Sequence, residues 1–347
     1  MTVAIHHDID LPPIQDMLHI IESGDVHIKR DEESGLLSII AVHSTKRGPA
    51  MGGCRCIRYP NLRTAVYDAM RLAKGMSYKT AISGLPLGGA KGVIILPDEP
   101  VDRTKLFEAY GRFVDSIGGR YITAMDSGTC NADMDVLSRY TDHCASRTEH
   151  GNPAPATAHG AFVGIKAAVK FKLDRDDLAG LTVAIQGVGN VGYNLAKHLH
   201  DAGAKLIVSD VNATNVDRCV SEFHAEAVPI EDILSVECDV LSPNALGAIF
   251  TEETVPTLQT KIIAGAANNQ LMKAHLCNDI AKRDILFAPD YVVNAGGVIH
   301  AAAAIGKNDT VTTDDIYDNL MEIFKRAAHE DAPPAQVAHE IALERLG

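Results

Sequence analysis

The chain contains no tryptophan, and aromatic residues make up only 5% of its 347 residues. It is also poor in positive charge: 45 aspartates and glutamates face 32 lysines and arginines, which gives a formal net charge of −13 at pH 7. Nucleic acids and anionic membranes carry charge of the same sign and would repel such a surface. The composition therefore argues against either as the main partner.

Metal-binding and disulfide patterns are missing as well. The seven cysteines form no C-x-x-C pair, and no H-E-x-x-H occurs among the 15 histidines. Cys54 and Cys56 are closer together than zinc ligands normally are. An odd number of scattered cysteines is typical of reduced thiols in the cytosol. We therefore expect no structural metal, and a cytoplasmic location.

Targeting and membrane signals are not apparent. Residues 1–10 have neither the basic region nor the apolar core of a signal peptide. The longest weakly polar stretch, residues 292–306, contains Asn294 and His300 and is shorter than the roughly 18 residues that suggest a membrane span. We expect no transmembrane segment.

The length of the chain favours two domains over one core. A Gly/Pro segment at residues 150–156 is typical of a hinge. We predict a first domain at residues 1–150, joined by a C-terminal helix at 331–347, and a second domain at 151–330.

Two lysines stand out in residues 74–96. Lys79 lies near the end of an amphipathic helical pattern, and Lys91 lies in a glycine cluster, expected to be a loop, just before the apolar run 93–96, which is expected to be a buried strand. The glycines allow the backbone to approach a small ligand closely. One ammonium could bind an anion while the other takes part in proton chemistry; the alternative is a pair of solvated surface lysines.

An aspartate follows a short predicted strand at residues 121–124. Asp126 would then lie at the carboxyl end of a strand, where α/β proteins usually meet their ligands. An Asx turn or a helix cap is the alternative explanation for an aspartate in this position.

The clearest local motif lies in the second half of the chain, between predicted strands at residues 181–186 and 205–209. It fits G-x-G-x-x-G and consists of Gly187, Val188, Gly189, Asn190, Val191 and Gly192. This order of strand, glycine loop, helix and strand predicts a dinucleotide site, with the pyrophosphate at the helix N-terminus. Asp210 ends the second strand, where its carboxylate can accept hydrogen bonds from ribose hydroxyls and repel a 2′-phosphate. NAD is therefore favoured over NADP.

Helices and strands continue to alternate beyond this motif, which predicts a doubly wound parallel sheet in an α/β protein. Polar segments at residues 268–269 and 294–297 are expected to follow strands of this sheet, as ligand contacts or as simple turn formers. Helices are predicted at residues 307–330 and 335–346.

Several blocks in order along almost the whole chain resemble the amino acid dehydrogenase superfamily, most closely its leucine/phenylalanine/valine branch. They are GPAMGGCR (48–55), RLAKGMSYK (71–79), LPLGGAKGVII (85–95), GRYITAMDSGT (119–129), TAHGAFVGIKAA (157–168), VAIQGVGNVG (183–192), GAANNQL (265–271) and PDYVVNAGGVI (289–299). The resemblance implies an N-terminal substrate domain that also forms a homo-oligomer, a Rossmann domain that binds NAD, and an active site in the interdomain cleft.

The same resemblance implies roles for single residues. Lys79 would bind the substrate carboxylate, Lys91 would be the catalytic lysine, and Asp126 its acid/base partner. The backbone of a Gly52–Gly53 turn would help to seat the carboxylate. Contacts with nicotinamide, ribose or substrate would come from Thr157, Ala267, Asn268 and Asn294.

The implied reaction is oxidative deamination: a hydride leaves Cα for NAD, and water attacks the resulting iminium to release ammonia. It needs a neutral base, whereas free lysine has a pKa of about 10.4. Burial and the neighbouring Lys79 disfavour a charged amine at Lys91, while an ionised Asp126 favours it. These effects oppose each other.

The family's side-chain pocket maps to apolar residues, which predicts an apolar L-amino acid as substrate. They are Met51, Ala124, Val298 and Ala301, and Met76 is a further expected substrate contact. Leucine, valine or isoleucine is the first expectation. Phenylalanine or tryptophan stays open, because Met51 is pliant and Ala301 is small. Leucine-specific members often carry glutamate where this chain has Met125.

Two other classes of protein compete with this interpretation. A catalytically silent NAD- or amino-acid-binding regulatory protein would not need Lys79, Lys91 and Asp126 together. A hydroxy-acid dehydrogenase would need a histidine–carboxylate pair, and the blocks around the lysines contain no histidine.

Overall fold

The computed structural model describes residue 11 and residues 13–21, 24–245 and 247–347. Expectations for residues 1–10 lie outside this part of the chain. Within it, no helix has both the length and the apolar character needed to cross a membrane.

The chain forms two compact units. The first comprises Met1–Asn152, Ala301–Asp309 and Leu343–Gly347, and the second comprises Pro153–His300 and Thr310–Ala342. The sequence analysis places all of residues 331–347 with the first domain, whereas in this division only Leu343–Gly347 lie there. The reason is local packing: Ala335 packs against the core of the second unit, and Arg326 Nη2 lies 3.4 Å from Glu340 Oε2.

The first unit is built on a mixed five-stranded sheet with the order β1-β2-β4-β3-β5. Its strands are β1 (Asp25–Asp31), β2 (Leu36–Ser44), β3 (Ala50–Ile57), β4 (Gly88–Ile95) and β5 (Tyr121–Met125). Strand β2 runs antiparallel to β1 and β4, while β3 runs parallel to β4 and β5. The carboxyl ends of β3, β4 and β5 therefore lie at one edge of the sheet.

Helices cover both faces of this sheet, which explains the unbroken apolar run in β2. Ile39 and Ala41 pack with the apolar face of α2, while Ile40 and Val42 pack with α3. The α-helices up to residue 152 are α1 (Ile14–Met17), α2 (Leu62–Ile82), α3 (Arg103–Ser116) and α4 (Asn131–Leu137), with 3₁₀ turns at Leu18–Ile21 and Thr148–His150.

The second unit contains a parallel six-stranded sheet. Its strands are β6 (Thr182–Gln186), β7 (Lys205–Ser209), β8 (Glu226–Ala227), β9 (Cys238–Pro243), β10 (Thr260–Ile263) and β11 (Leu286–Phe287). They are ordered β11-β10-β9-β6-β7-β8, and every pair is parallel. Numbered from β6, this is the order 6-5-4-1-2-3 of the Rossmann fold. The predicted doubly wound α/β sheet is confirmed.

One of the later helices begins well after its predicted start. These helices are α5 (Ala154–Leu173), α6 (Asn190–Asp201), α7 (Ala213–Phe223), α8 (Leu276–Lys282), α9 (Asp290–Val293), α10 (Gly296–Ala304), α11 (Asp315–Glu330) and α12 (Pro334–Leu346), with a 3₁₀ turn at Val255–Thr257. The helix predicted at residues 307–330 begins only at Asp315. Gly306 has a φ of 65°, which ends the preceding helix, and Asp315 Oδ2 accepts a hydrogen bond from the Thr312 amide at 2.6 Å.

Candidate active site

The lysine predicted to be catalytic lies inside a strand. Lys91 is the fourth residue of β4, and it is 6% exposed. The expectation of a glycine loop before a strand was wrong, because the glycines themselves are strand residues. The Lys91 Nζ donates a hydrogen bond to Asp126 Oδ2, and Asp126 comes directly after β5. Two residues 35 positions apart in sequence thus form one ion pair.

Strand β3 lies between the two strands that carry this pair. Gly52 and Gly53 are residues of β3 and form no turn, which corrects the second expectation for this region. Gly53 pairs with Ala124 of β5, and a Cβ added at Gly53 would lie 2.7 Å from the Asp126 Cβ. The missing side chain therefore leaves the space that the Asp126 side chain occupies.

A second cation faces Asp126. Arg55 Nε lies 3.7 Å from Asp126 Oδ2, and the two side chains are 14% and 25% exposed. Burial by itself would raise the pKa of Asp126, but the charges of Lys91 and Arg55 outweigh it and hold that pKa well below its usual range. Asp126 is therefore a carboxylate at neutral pH.

The segment after Asp126 is fixed by hydrogen bonds. The Asp126 amide donates to Thr129 Oγ1 at 2.8 Å, and that hydroxyl lies 3.1 Å from the Cys54 carbonyl in β3. Arg103 Nη2 donates to the Gly128 carbonyl at 2.7 Å, while its Nε is held by Asp133 at 2.7 Å. The backbone that carries the carboxylate is therefore tied to β3 and α3.

The second predicted lysine belongs to the helix that covers this sheet. Lys79 and Met76 lie in the last two turns of α2, and both are half-buried. That helix begins at the side-chain cap of Asn61, whose Oδ1 accepts from the Thr64 amide at 2.9 Å. A Cβ at Gly89 would lie 2.0 Å from the Ser77 nitrogen, so this turn of α2 rests directly on β4 two residues before Lys91.

The predicted pocket residues fall on two strands and one helix. Met51 and Ala124 lie in neighbouring strands β3 and β5, and they are 1% and 8% exposed. Val298 and Ala301 lie three residues apart on α10, where Ala301 is buried and Val298 half-buried.

The glycine loop of the second unit has the geometry of a phosphate site. Gly187 has a φ of 85°, and a Cβ at Gly192 would lie 1.9 Å from the Gly187 carbonyl oxygen, so the loop turns tightly onto α6. Gly189 is the N-cap of α6; it provides no side-chain cap, and nothing lies within 4 Å of a Cβ built there. Open space beside uncapped helix amides fits a pyrophosphate.

Asp210 holds this loop. It follows β7, and its Oδ2 accepts the Val188 amide at 2.8 Å while its Oδ1 accepts the Asn212 amide at 2.8 Å. Each carboxylate oxygen has further lone-pair capacity, so ribose hydroxyls can also donate to it. Asp210 is thus suited both to shape the loop and to bind a ribose.

The remaining predicted contacts gather elsewhere in the second unit. Asn294 Nδ2 donates to Asn268 Oδ1 at 2.7 Å and to the Ala266 carbonyl at 3.2 Å, next to buried Ala267. A Cβ at Gly297 would lie 2.8 Å from Thr157 Oγ1. Asn294 was expected to follow a strand, but it follows the helical turn α9. Its Oδ1 is buried and has no hydrogen-bond partner among the described residues, so an amide donor of a ligand fits there.

Two residues of the first unit were missed by the sequence analysis. Arg55 and Asp68 form an ion pair at 2.7 Å beside Asp126. A signal was present for each: Arg55 stands two residues after Gly53 in a buried strand, and Asp68 interrupts the apolar face of α2. Neither signal predicts that Arg55 and Asp68 form an ion pair, because this contact depends on the packing of α2 against the sheet.

Two family models match the chain. Residues 22–143 match the one described as Glu/Leu/Phe/Val dehydrogenase, dimerisation domain, and residues 152–218 and 210–340 match Glutamate/Leucine/Phenylalanine/Valine dehydrogenase. A leucine dehydrogenase of Geobacillus stearothermophilus is 46% identical over 325 residues, which cover 91% of this chain and 89% of that protein. A valine dehydrogenase of Streptomyces albus is 43% identical over 349 residues, covering 95% and 96%.

A solved structure is also similar along nearly the whole chain. L-tryptophan dehydrogenase from Nostoc punctiforme matches with a TM-score of 0.83 and 38% sequence identity, covering 96% of this chain and 98% of that chain. The similar proteins therefore include relatives named for branched aliphatic and for aromatic amino acids.

Proposed function

Because this chain belongs to the Glu/Leu/Phe/Val dehydrogenase family, we propose that it catalyses the NAD-dependent oxidative deamination of an apolar L-amino acid. The products would be the 2-oxo acid, ammonia and NADH. The observation that carries the proposal is the amine of Lys91, buried in β4 and paired with Asp126. Lysine is rarely buried, and a buried pair of titratable side chains is typical of a functional site.

We assign the steps of the reaction to residues of the first unit. Lys79 would bind the substrate carboxylate, assisted by the backbone at Gly52 and Gly53. Lys91, as a neutral amine, would take a proton from the water that attacks the iminium. Asp126 would be the acid/base partner of Lys91 in the proton relay, since the two side chains are in hydrogen-bond contact.

NAD is the cofactor that the second unit fits. When bound, it supplies the hydride acceptor. We propose that residues 187–192 hold its pyrophosphate, that Asp210 binds its adenosine ribose, and that Thr157, Ala267, Asn268 and Asn294 contact its nicotinamide half. Support comes from the uncapped α6 N-terminus and the buried, unsatisfied Asn294 Oδ1. We further propose that substrate and cofactor meet in a cleft between the substrate domain and the cofactor domain.

The substrate pocket is proposed to accept leucine, valine or isoleucine first. Met51, Met76, Ala124, Val298 and Ala301 carry no charge, so a charged substrate side chain would lack a partner. Similarity to leucine and valine dehydrogenases supports this choice. Phenylalanine and tryptophan are the second choice, supported by the similarity to L-tryptophan dehydrogenase.

A panel assay tests the activity. Purified protein with NAD⁺ should form NADH with at least one of leucine, valine, isoleucine, phenylalanine and tryptophan, and far less with glutamate. The reverse reaction, with ammonia and the matching 2-oxo acids, should consume NADH. Lys91→Ala is the control: it should lose turnover but keep NADH binding, measured by nucleotide fluorescence. Absence of turnover in both directions for every substrate would disprove the proposal.

We also propose that the protein is a cytoplasmic homo-oligomer. No disulfide joins any of its seven cysteines, all of which lie in the described residues, as expected in a reducing compartment. The first unit is proposed to form the contact between copies, since the family model matching residues 22–143 is described as a dimerisation domain.

A further inference from the structure

Behind the Lys91–Asp126 pair lies an arginine that bridges two carboxylates. Arg55 Nη1 donates to Asp68 Oδ2 at 2.7 Å, and its Nε lies 3.7 Å from Asp126 Oδ2. The Nε atom is buried and has no hydrogen-bond acceptor within the described part of the chain, so Asp126 is the carboxylate it faces. Lys91 and Arg55 thus approach the same oxygen of Asp126.

We propose that Arg55 is a positioning residue for the proton chemistry: it holds the Asp126 carboxylate towards Lys91 and remains its counter-ion when the Lys91 amine is unprotonated. This inference rests on the proposed dehydrogenase function. It assigns no bond making or breaking to Arg55, which acts through Asp126.

The need for a second cation follows from charge and burial. When the Lys91 amine is unprotonated, Asp126 loses the positive charge of that partner. A carboxylate that is only 25% exposed is costly to leave unpaired. A guanidinium keeps its charge throughout the reaction, because it is not deprotonated in proteins. Burial would lower the pKa of Arg55, but Asp68 and Asp126 raise it above its ordinary value.

Asp68 fixes the arginine in turn. Besides Arg55, it accepts hydrogen bonds from Tyr59 Oη at 2.8 Å and from Arg71 Nη2 at 3.2 Å. The Asp68 side chain is 9% exposed, whereas that of Arg71 is 45% exposed. Charges alternate from Asp68 through Arg55 and Asp126 to Lys91, so each buried ion has an opposite neighbour. A lysine at position 55 would keep the charge but not the fork that reaches both carboxylates.

The test compares three variants of the full-length protein. Arg55→Met should lower kcat roughly a hundred-fold, the loss expected when a catalytic group shifts by about an ångström. The KM for the amino acid and the Kd for NADH should change little, because Arg55 is proposed to act only through Asp126. Arg55→Lys should recover part of the lost kcat. Arg71→Met is the matched control: it removes an arginine from the same Asp68 but leaves Asp126 its two cations, so kcat should stay near that of the wild type.

Folding is checked by circular dichroism and thermal melting. If Arg55→Met does not fold, Asp68→Asn replaces it, since the amide keeps the shape of the side chain but removes the negative charge that holds Arg55; it should lower kcat with KM preserved. A wild-type kcat in either folded variant would overturn the inference, as would an equal loss in Arg71→Met. An inactive wild-type protein would instead overturn the proposed function, and this inference with it.

Discussion

At position 53, one hydrogen atom stands where other residues have a side chain. The Asp126 side chain fills that space and meets Lys91 there. The neighbouring Gly52 is restricted by backbone and not by a side chain: a Cβ there would lie 1.6 Å from the Ala90 backbone oxygen. Gly53 therefore makes room for the ion pair, whereas Gly52 allows β3 and β4 to lie close together.

Gly53→Ala should separate these effects. A methyl group 2.7 Å from the Asp126 Cβ forces the carboxylate to shift, so we expect kcat to fall at least ten-fold, within the loss that a misplacement of about an ångström can cause. Gly52→Ala should act mainly on stability, because the atom it meets belongs to the backbone. Steady-state kinetics and thermal melting measure the two outcomes. A Gly53→Ala protein with the kcat of the wild type would contradict the packing described for this position.

At this scale the sequence was most informative where a residue type was unusual for its surroundings. Lys91 and Asp126 are ionisable residues next to apolar runs, and the structure pairs them. Arg55 was not assigned a role, because its partner Asp68 lies on a helix and the contact between them depends on how α2 packs on the sheet. Sequence spacing contains no information on that packing.

Among the elements, the turn from β6 into α6 is the one most suited to a cofactor. Its glycines bring the loop onto the helix N-terminus, and Asp210 at the end of β7 accepts the Val188 amide of the same loop. A carboxylate in this position discriminates against a 2′-phosphate by repulsion. The shape of the loop and the proposed preference for NAD would thus depend on one side chain.

Substitution of Asp210 tests this coupling. Asp210→Ala should raise the Kd for NADH roughly ten- to hundred-fold, because a hydrogen bond to a charged group contributes about 1.5–3 kcal/mol. Asp210→Asn keeps an oxygen for the Val188 amide, so the loss should be smaller, while the preference for NAD over NADP should narrow in both variants. Fluorescence titration with NADH and NADPH measures these constants. Unchanged NADH binding by Asp210→Ala would remove the residue from the cofactor site.

Element prediction was most accurate where local signals agreed. Strand β7 was predicted at its observed bounds, because an apolar run and flanking polar residues point to the same limits. The glycine-rich parts of β3 and β4 were predicted as turn and loop, since glycine disfavours strands. Tertiary packing overrides that preference: α2 comes so close to β4 that a side chain at Gly89 would collide with Ser77.

At the scale of the whole molecule, the first unit is expected to form the contact between copies of the chain. Strand β1 is an edge of the first sheet, and Ile28 on it is 50% exposed. Edge strands with exposed apolar residues favour pairing with another chain. This feature supports the proposed homo-oligomer.

Light scattering coupled to gel filtration should give a mass that is a multiple of the chain mass. Ile28→Asp should reduce it, because a charge would then face the apolar contact. Ile230→Asp is the matched control, because Ile230 is an equally exposed isoleucine, at 49%, in the second unit. The assembly formed by this variant should have the same mass as that of the wild type. A monomeric wild-type protein, or the same mass for both variants, would contradict the assignment.

The first unit also includes Leu343–Gly347, which its earlier residues bind directly: Arg345 Nη1 donates to the Ile82 carbonyl, and Arg47 Nη1 donates to the Arg345 carbonyl at 2.8 Å. A nascent chain on the ribosome therefore exposes most of this unit long before its closing segment is translated. The second unit extends to Ala342, so both units combine segments from distant parts of the chain and complete their native contacts only when residues near position 340 have been made.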